Sequence, residues 1–357
     1  MADADAASDG MRLVRGIVRP TAGFLLRALV VMAVIAGFVS LTGTSPLLVF
    51  GELWRGAVGS ATDLAVTVNR AAPLMIAGVG VALAMRAGAF NMGVEGQIAL
   101  GGLAASYFGL FLGEVPSPAA IPFVLLLSGV AGALWAGLAG LLSLWRGVNV
   151  VIVTLLTNFI ALLFVSAIVT GPLNHGQGFP ATPVLPESVH MPMILKGMHA
   201  GILVGIAAAL AGGWLLWRTR FGYRLRIAGD SPDLARYLRF DPRSSFLAGM
   251  LISGALAGIA GGVEILGVRH RLFDGFSRNM GWDAIAVALL GGNNPLGVIP
   301  AALFFGGLRA ATGALQRRSG IPASLATIVQ GLVILAVVAS GMRKRHRKGG
   351  TQPEEGG

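Results

Sequence analysis

Long apolar stretches alternate with short polar breaks along most of the chain, and the breaks carry most of the charge. A helix needs roughly 20 apolar residues to cross the hydrocarbon core of a bilayer. The stretches that we expect to cross it as full helices are 24–41, 71–85, 88–113, 119–145, 148–171, 200–217, 246–263 and 323–341. The pattern thus predicts an all-α, polytopic membrane bundle with about eight full transmembrane helices.

One further apolar stretch, 284–308, is interrupted by the sequence GGNNPLG at residues 291–297. Glycine, asparagine and proline together predict a turn. We expect two short helices that fold back as a broken, re-entrant hairpin, which brings the count to eight to ten membrane segments. The hairpin also returns the basic residues that follow position 342 to the side on which the chain begins.

Basic residues collect in every second polar segment, and such segments are retained in the cytosol. This predicts a cytosolic N-terminal tail (1–23), a transmembrane region (24–342) and a cytosolic, basic C-terminal tail (343–357). Within the transmembrane region, the arginine-rich segment 218–243, named the coupling loop, is predicted to be cytosolic. The proline-rich segment 172–199, the outer loop, is predicted to be periplasmic. Residues 42–70 are mixed and predict an external loop with an interfacial helix.

The composition agrees with a membrane protein, since 55% of the 357 residues are apolar and only 12% are charged. The net charge of +11 is then interpreted as anchoring at the cytosolic face of the membrane, and not as affinity for nucleic acid. The absence of cysteine excludes disulfides and thiol catalysis. Small residues spaced by four predict close helix contacts on two spans, at Gly129, Ala133 and Gly137 and at Gly254, Gly258 and Gly262.

The coupling loop contains a short helix signal in its second half. Ser231 can cap a helix N-terminus, Pro232 suits the first helical position, and Asp233 faces the positive end of the helix dipole. Leu234, Tyr237 and Leu238 then form an apolar stripe on a polar helix. The pattern is open to two interpretations, a helix that presses against a cytosolic partner or a solvated loop.

The clearest candidate site is the segment FNMGVEGQ at residues 90–97, which leads into an apolar span. An ionisable group at membrane depth is costly and needs a partner or a water-lined cavity. The residues that we expect to line a solute pathway, the pathway set, are Phe90, Asn91, Glu95, Gln97 and Asn158. The alternative is a structural cluster in which Glu95 pairs with a basic residue such as Arg86, and Asn158 makes an interhelical hydrogen bond.

Other polar residues carry weaker signals. Glu264 and Asp283 lie at the edges of apolar stretches, where interfacial exposure explains them, and Asn293 and Asn294 are expected to cap the hairpin. We find no phosphate-binding loop, no metal-ligand spacing and no nucleophile–base pair, so the chain is predicted to bind no metal or cofactor and to be no enzyme. Any energy for uphill transport must come from an ion gradient or from a separate ATPase.

Five segments together resemble the permease subunits of bacterial ABC importers for nucleosides and simple sugars, from about residue 70 onward. They are FNMGVEGQIALGG (90–102), VIVTLLTNFIALLFVSAIVTGPL (151–173), RTRFGYRLRIAGDSPDLARYLRFD (218–241), ISGALAGIAGGVEILG (252–267) and AIAVALLGGNNPLGVIPAALFFGGLRA (284–310). The chain departs from the family pattern at residues 237–240, where a usual glycine is replaced.

The resemblance implies that region 24–342 is an inner-membrane permease that moves nucleosides or related ribose-containing or simple-sugar solutes. Its implied partners are a cytosolic ATPase that uses ATP, a second, related permease subunit, an extracytoplasmic solute-binding protein and membrane lipid. The residues implied to contact the ATPase, the docking set, are Gly229, Asp230, Ser231, Pro232, Leu234, Ala235, Arg236, Tyr237 and Leu238. The alternative is an ion-coupled secondary transporter or facilitator, which has no need of a docking helix in this loop.

Overall fold

A computed structural model describes residues 45–176 and 178–319, with residues 33, 36, 37, 39–41, 327, 328, 331 and 332. Both predicted tails lie outside the described residues, as do most residues of the predicted spans 24–41 and 323–341. Gly56–Ala311 forms one compact unit, which contains every site discussed below. Met1–Arg55 and Thr312–Gly357 form a second unit, whose described residues are almost all helical.

The described residues are predominantly helical, with one small hairpin of strands. In chain order the α-helices, α1 to α11, are Pro46–Val58, Ala61–Arg86, Val94–Phe111, Ser117–Arg146, Val150–Thr170, Gly201–Arg218, Arg220–Asp230, Pro232–Tyr237, Pro242–Glu264, Met280–Leu290 and Pro295–Ser319. Strands β1 (Met193–Leu195) and β2 (Met198–His199) pair in antiparallel fashion. A 3₁₀ turn lies at Glu187–Val189, and a π-helical turn, Ile265–Arg269, extends α9.

Six of the described helices are long and apolar enough to cross a membrane. They are Ala61–Arg86, Ser117–Arg146, Val150–Thr170, Gly201–Arg218, Pro242–Arg269 and Pro295–Arg318. The shorter apolar helix α10 joins them. The prediction of an all-α, polytopic membrane bundle is confirmed, and the chain is a multi-pass membrane protein.

The second predicted span begins ten residues too late. Helix α2 begins at Ala61, because the Ser60 side chain caps it by accepting a hydrogen bond from the Asp63 backbone N–H at 3.1 Å. Residues 45–70 contain α1 and the first ten residues of α2, so the external loop predicted up to residue 70 ends earlier than expected. The hydrophobic pattern missed these ten helical residues because the polar residues among them, such as Asn69 and Arg70, interrupt the apolar run.

The predicted close packing of small residues is confirmed on α9, with a correction on α4. A Cβ added to Gly258 would overlap the backbone of Ser128 and lie 3.2 Å from Gly132 Cα. The same face of α9 also meets Gly101 of α3, backbone to backbone. The tightest contact on α4 is at Gly132, whereas the predicted Gly129 meets only side-chain and carbonyl atoms of α9, at 3.1 Å or more.

The broken hairpin turns where the sequence predicts, with α10 ending at Leu290 and α11 beginning at Pro295. Its arms are unequal, however, since α10 has 11 residues and α11 has 25. The expectation of two short helices is therefore wrong for the second arm. The turn is tight because the backbones of Gly291 and Gly297 touch, leaving no room for a Cβ on either residue.

The outer loop packs against the segment that follows α9. Three backbone hydrogen bonds join it to the segment after α9, from Met191 N–H to the Leu266 carbonyl, from Leu185 N–H to the His270 carbonyl and from Thr182 N–H to the Leu272 carbonyl, at 2.8–2.9 Å. The stacked rings of His190 and His270, 3.9 Å apart, reinforce this attachment.

The coupling loop contains two helices instead of the one predicted. The predicted helix is α8, and Ser231 caps it by accepting a hydrogen bond from Leu234 N–H at 3.3 Å. The longer α7 was not predicted; Thr219 caps it, and it buries Leu225 and Ala228 on one face. The apolar periodicity of α7 was missed because arginines interrupt it, and most of these arginines lie on the opposite, exposed face.

Candidate functional site

The chain leaves helical geometry between α2 and α3, and the pathway set surrounds this break (residues 87–93). Asn91 and Gln97 exchange amide hydrogen bonds of 2.9 and 3.1 Å. The Asn91 amide also donates to Ser253 Oγ of α9 at 3.1 Å, and its oxygen accepts from Gly93 N–H. These side chains are buried, so the amides of the break satisfy one another inside the bundle.

Helix α5 supplies hydrogen-bond acceptors to the break and to the first turn of α3. Asn158 Oδ1 accepts from Gly96 N–H at 2.5 Å, and Thr154 Oγ1 accepts from Met92 N–H at 3.1 Å. Backbone N–H groups at a helix start have no hydrogen-bond acceptor within their own helix, so the side chains of α5 supply the acceptors. Asn158 therefore makes an interhelical contact, as its alternative interpretation expected. Phe90 is half-buried at the edge of the cluster.

Glu95 is buried and binds the start of the half-helix α10. Its Oε1 accepts from Ser277 Oγ and, at 3.1 Å, from Asn279 N–H, while its Oε2 accepts from Gly281 N–H at 2.5 Å. The three donors and the positive end of the α10 dipole compensate the negative charge. The alternative pairing of Glu95 with Arg86 is wrong, because Arg86 donates to backbone carbonyls of the hairpin instead.

The start of α10 lies deep in the bundle. With 11 residues α10 is about 16 Å long, roughly half of a ~30 Å hydrocarbon core. Its other end leads into the hairpin turn beside Arg86, the last residue of α2. The turn before α10 holds Arg278 and Asn279 with φ of 41° and 63°, a conformation uncommon for residues other than glycine.

Arg278 and Asn279 are exposed at this depth, and the pathway set omitted them together with Ser277. The segment FDGFSRNMG carries a turn signal, Asp274-Gly275, directly before a short apolar helix. That signal marks a turn without showing that its residues reach the middle of the bundle. Their contacts with Glu95 and with Arg309, which donates to the Arg278 carbonyl at 2.8 Å, place them there.

Two carboxylates expected at exposed interfaces are buried in ion pairs instead. Glu264 is fully buried and binds Arg70 at 3.2 Å and Arg269 at 2.9 Å. Asp283 binds Arg309 at 2.6 Å. The expectation failed because the arginine partners lie on other helices or in the π turn. The apolar stretch that contains each acid therefore shows no partner for it.

The docking set presents an exposed apolar surface on α8. Leu234, Tyr237 and Leu238 are 47%, 84% and 38% exposed, while Ala235 faces inward and is buried. Beneath them, the ring of Tyr223 on α7 meets the ring of Phe240 edge-on at 6.3 Å, which fixes the end of α8 against α7. The helix therefore holds three large apolar side chains toward its outer face.

Gly229, the first residue of the docking set, lies against the break. A Cβ added to Gly229 would overlap the Arg86 carbonyl oxygen and lie 2.7 Å from Gly88 N. A Cβ on Gly88 would lie 3.2 Å from Gly229 Cα. The backbones of the coupling loop and of the break are thus in direct contact, which joins the two predicted sites.

Comparison with known proteins identifies a family. Residues 64–338 match the family described as "Branched-chain amino acid transport system / permease component". A glucose ABC transporter permease protein of Haloferax volcanii is 33% identical over 90% of this chain and 88% of its own length. A guanosine ABC transporter permease protein of Bacillus subtilis is 33% identical over 82% of this chain and 85% of its own length.

A nucleoside ABC transporter permease protein of Lactococcus lactis is 27% identical over 88% of this chain and 87% of its own length. No solved structure matches the chain. The family match covers the described bundle from α2 onward, including the break, the coupling loop and the hairpin. This chain therefore belongs to the permease-component family of ABC transporters, and it is a membrane transport subunit and not an enzyme.

Proposed function

We propose that this chain forms, together with a second permease subunit, the pathway by which an ABC importer moves nucleosides or related sugar-containing solutes. Relatives that carry guanosine, nucleosides and glucose in their names support this solute class. A solute of this kind offers hydroxyl groups and base edges, which polar groups in an otherwise apolar passage can recognise.

The observation that carries the proposal is the apolar surface of α8. Three large apolar side chains, 38% to 84% exposed, stand on a short, capped helix between arginines. Covering such a surface with a partner is favourable in proportion to its area. A cytosolic ATPase that docks here explains the surface, whereas a secondary transporter working alone gives it no purpose.

Pairs of related permeases in one organism support a second, related permease subunit as the partner. Bacillus subtilis has two guanosine ABC transporter permease proteins, 33% and 27% identical to this chain. Lactococcus lactis has two nucleoside ABC transporter permease proteins, 27% and 26% identical to it. An extracytoplasmic solute-binding protein that delivers the solute to the side of the outer loop completes the proposed importer.

The route of the solute is proposed to pass the start of α10. The exposed Arg278 and Asn279 lie there, next to the buried cluster around Glu95. Direct contact of the solute with Phe90, Asn91, Glu95, Gln97 and Asn158 remains a prediction, because four of these side chains are buried among hydrogen-bonded neighbours.

The chain is proposed to lie in the cytoplasmic membrane with both termini in the cytosol. The basic residues RKRHRK at 343–348 favour the cytosolic leaflet. A reporter that is active only in the periplasm, fused after Gly349, is expected to be silent. A reporter that is active there contradicts this orientation.

Uptake by the reconstituted complex tests the function. The permease pair, the ATPase and the binding protein are placed in vesicles, and labelled guanosine, adenosine and glucose are offered with and without ATP. We expect ATP-dependent uptake of at least one nucleoside that survives collapse of all ion gradients. Uptake by the permease alone, abolished by an ionophore, would show that the chain is a secondary transporter.

A further inference from the structure

The half-helix α10 is held at both ends by residues that flank the break. At its start, Glu95 accepts hydrogen bonds from Asn279 N–H and Gly281 N–H. Beyond its end, Arg86 donates to the carbonyl oxygens of Gly292 at 3.3 Å and Asn293 at 2.9 Å. Arg86 and Glu95 thus lie on either side of the break and hydrogen-bond to opposite ends of the same short helix.

The charges of the two residues suit the ends they hold. A carboxylate stabilises the positive N-terminal end of a helix dipole, and a guanidinium stabilises the negative C-terminal end. Packing adds to this at the N-terminal end, because a Cβ on Gly281 would overlap the backbone of Glu95. A displacement of the break therefore carries α10 with it, unless these contacts first separate.

At Gly88 and Gly229 the break touches the coupling loop through backbone atoms. The contact between Gly229 and the segment Arg86–Gly88 has no room for even a methyl group. The side chain of Arg86 also lies over the Trp217 ring at 5.7 Å, and Arg226 of α7 lies over that ring at 4.5 Å. Such a contact between backbones transmits a displacement directly, since no flexible side chain lies between them.

We propose that movement of the coupling loop is passed to α10 through the contact of Gly229 with Gly88. Arg86 and Glu95 are the positioning residues, because they hold α10 at a fixed position relative to the break. The exposed turn at Arg278 and Asn279 then shifts together with α10. The proposal rests on the proposed function, because it requires an ATPase that moves the coupling loop.

Glycine-to-alanine substitutions test the contact, each with a matched control. Gly229→Ala is compared with Gly51→Ala, which adds a methyl group to a helical glycine with open space around it. Gly88→Ala, at φ 78°, is compared with Gly147→Ala, at φ 65°, where an added methyl group has open space around it. Bound ATPase, ATP hydrolysis and solute uptake are measured on the reconstituted complex, and the solute moved per ATP is calculated.

We expect Gly88→Ala to retain the ATPase and its hydrolysis, while the solute moved per ATP falls by about tenfold or more. In Gly229→Ala, which alters the docking set itself, the same fall is expected per ATP hydrolysed by the ATPase that stays bound. Both control variants keep the wild-type ratio. An unchanged ratio in Gly88→Ala with the ATPase bound overturns the proposal. Wild-type permease that binds no ATPase overturns the proposed function instead, so the two failures are distinguishable.

Variants of Arg86 decide the question if the glycine variants do not accumulate. Arg86→Gln should lower the solute moved per ATP, and Arg86→Lys should restore part of it, because an ammonium group still donates to the hairpin carbonyls. Arg146→Gln is the control, since Arg146 lies at the end of α4 against its neighbour Trp145. If Arg86 has only a structural role, Arg86→Gln lowers protein yield, hydrolysis and uptake together and leaves the solute moved per ATP unchanged. That result contradicts the proposal.

Discussion

The Oε2 atom of Glu95 accepts a 2.5 Å hydrogen bond from the backbone N–H of Gly281, joining the first turn of α3 to the first turn of α10. The two residues are 186 positions apart in the chain. Their contact brings the conspicuous acidic motif of the sequence to the start of a half-helix deep in the bundle. Position 95 is therefore a place where a single substitution tests both the architecture and the transport pathway.

Replacing Glu95 with glutamine should lower solute uptake by about tenfold, because the new amide NH₂ group faces backbone N–H groups and leaves a buried donor unpaired. Asn91→Ala should lower uptake or change solute preference as well. Both variants are expected to leave the amount of assembled complex near the wild-type level.

Uptake and assembled complex are measured on the same membranes to separate the two roles of Glu95. Glu114→Gln is the control, since Glu114 is exposed in the turn between α3 and α4. Loss of folded protein in Glu95→Gln supports a purely structural role. Normal uptake in both site variants removes residues 91 and 95 from the pathway.

Charges placed on the outer face of α8 should release the ATPase. In Leu234→Asp together with Leu238→Asp, two exposed apolar side chains become carboxylates, and burying them against a partner is then costly. The permease should remain in the membrane, while co-purification of the ATPase and ATP-driven uptake are lost.

The control for this experiment lies on the same helix. Asp233→Ala removes an exposed ion pair with Arg236 and leaves the apolar surface intact. Exposed pairs contribute little to stability, so this variant should retain the ATPase. Retention of the ATPase by the double aspartate variant as well would exclude α8 as the docking element.

Glu264→Gln should destabilise the bundle by about 3 kcal/mol, because it leaves Arg70 and Arg269 without their buried counter-charge. The midpoint of thermal unfolding in detergent measures the effect. Adding Arg70→Gln to this variant should recover part of the loss, since one uncompensated charge is removed. A midpoint unchanged by Glu264→Gln would show that the buried pair contributes nothing to stability.

The outer loop should loosen in acid. Burial, and then the neighbouring His270, lower the pKa of His199 to about 4, and burial also lowers the pKa of His270, with a further contribution from His190. An unfolded histidine takes up its proton near pH 6.5. The stability that neutral His199 contributes is complete above that pH and is lost as the pH falls from about 6.5 toward about 4.

Hydrogen exchange of residues 172–199 at several pH values measures this loss. His199→Asn retains an acceptor for the Gly201 N–H, which the wild-type imidazole binds at 3.1 Å, and it removes the titrating group. The variant should therefore hold its protection to a lower pH than the wild type. Equal loss of protection in both proteins would mean that His199 does not control the loop.

Local patterns in the sequence predict much of the fold and part of the site. The turn GGNNPLG ends α10 and starts α11 as predicted, because glycine and proline act on the backbone within a few residues. The cap at Ser231 and the exposed stripe on α8 likewise follow from helix periodicity. The class of protein follows from the length of the apolar stretches, a property that needs no partner elsewhere in the chain.

What the sequence by itself determined is therefore local: which stretches are helices, where most of them begin and end, and which polar residues stand out. Tertiary structure alone decided the partners. Glu95 could not be assigned to Ser277, 182 positions away, and Gly229 could not be assigned to Gly88, because such contacts depend on how distant helices pack. Hydrogen-bond and charge compensation inside a bundle is a property of neighbours in space, and a linear pattern carries no record of them.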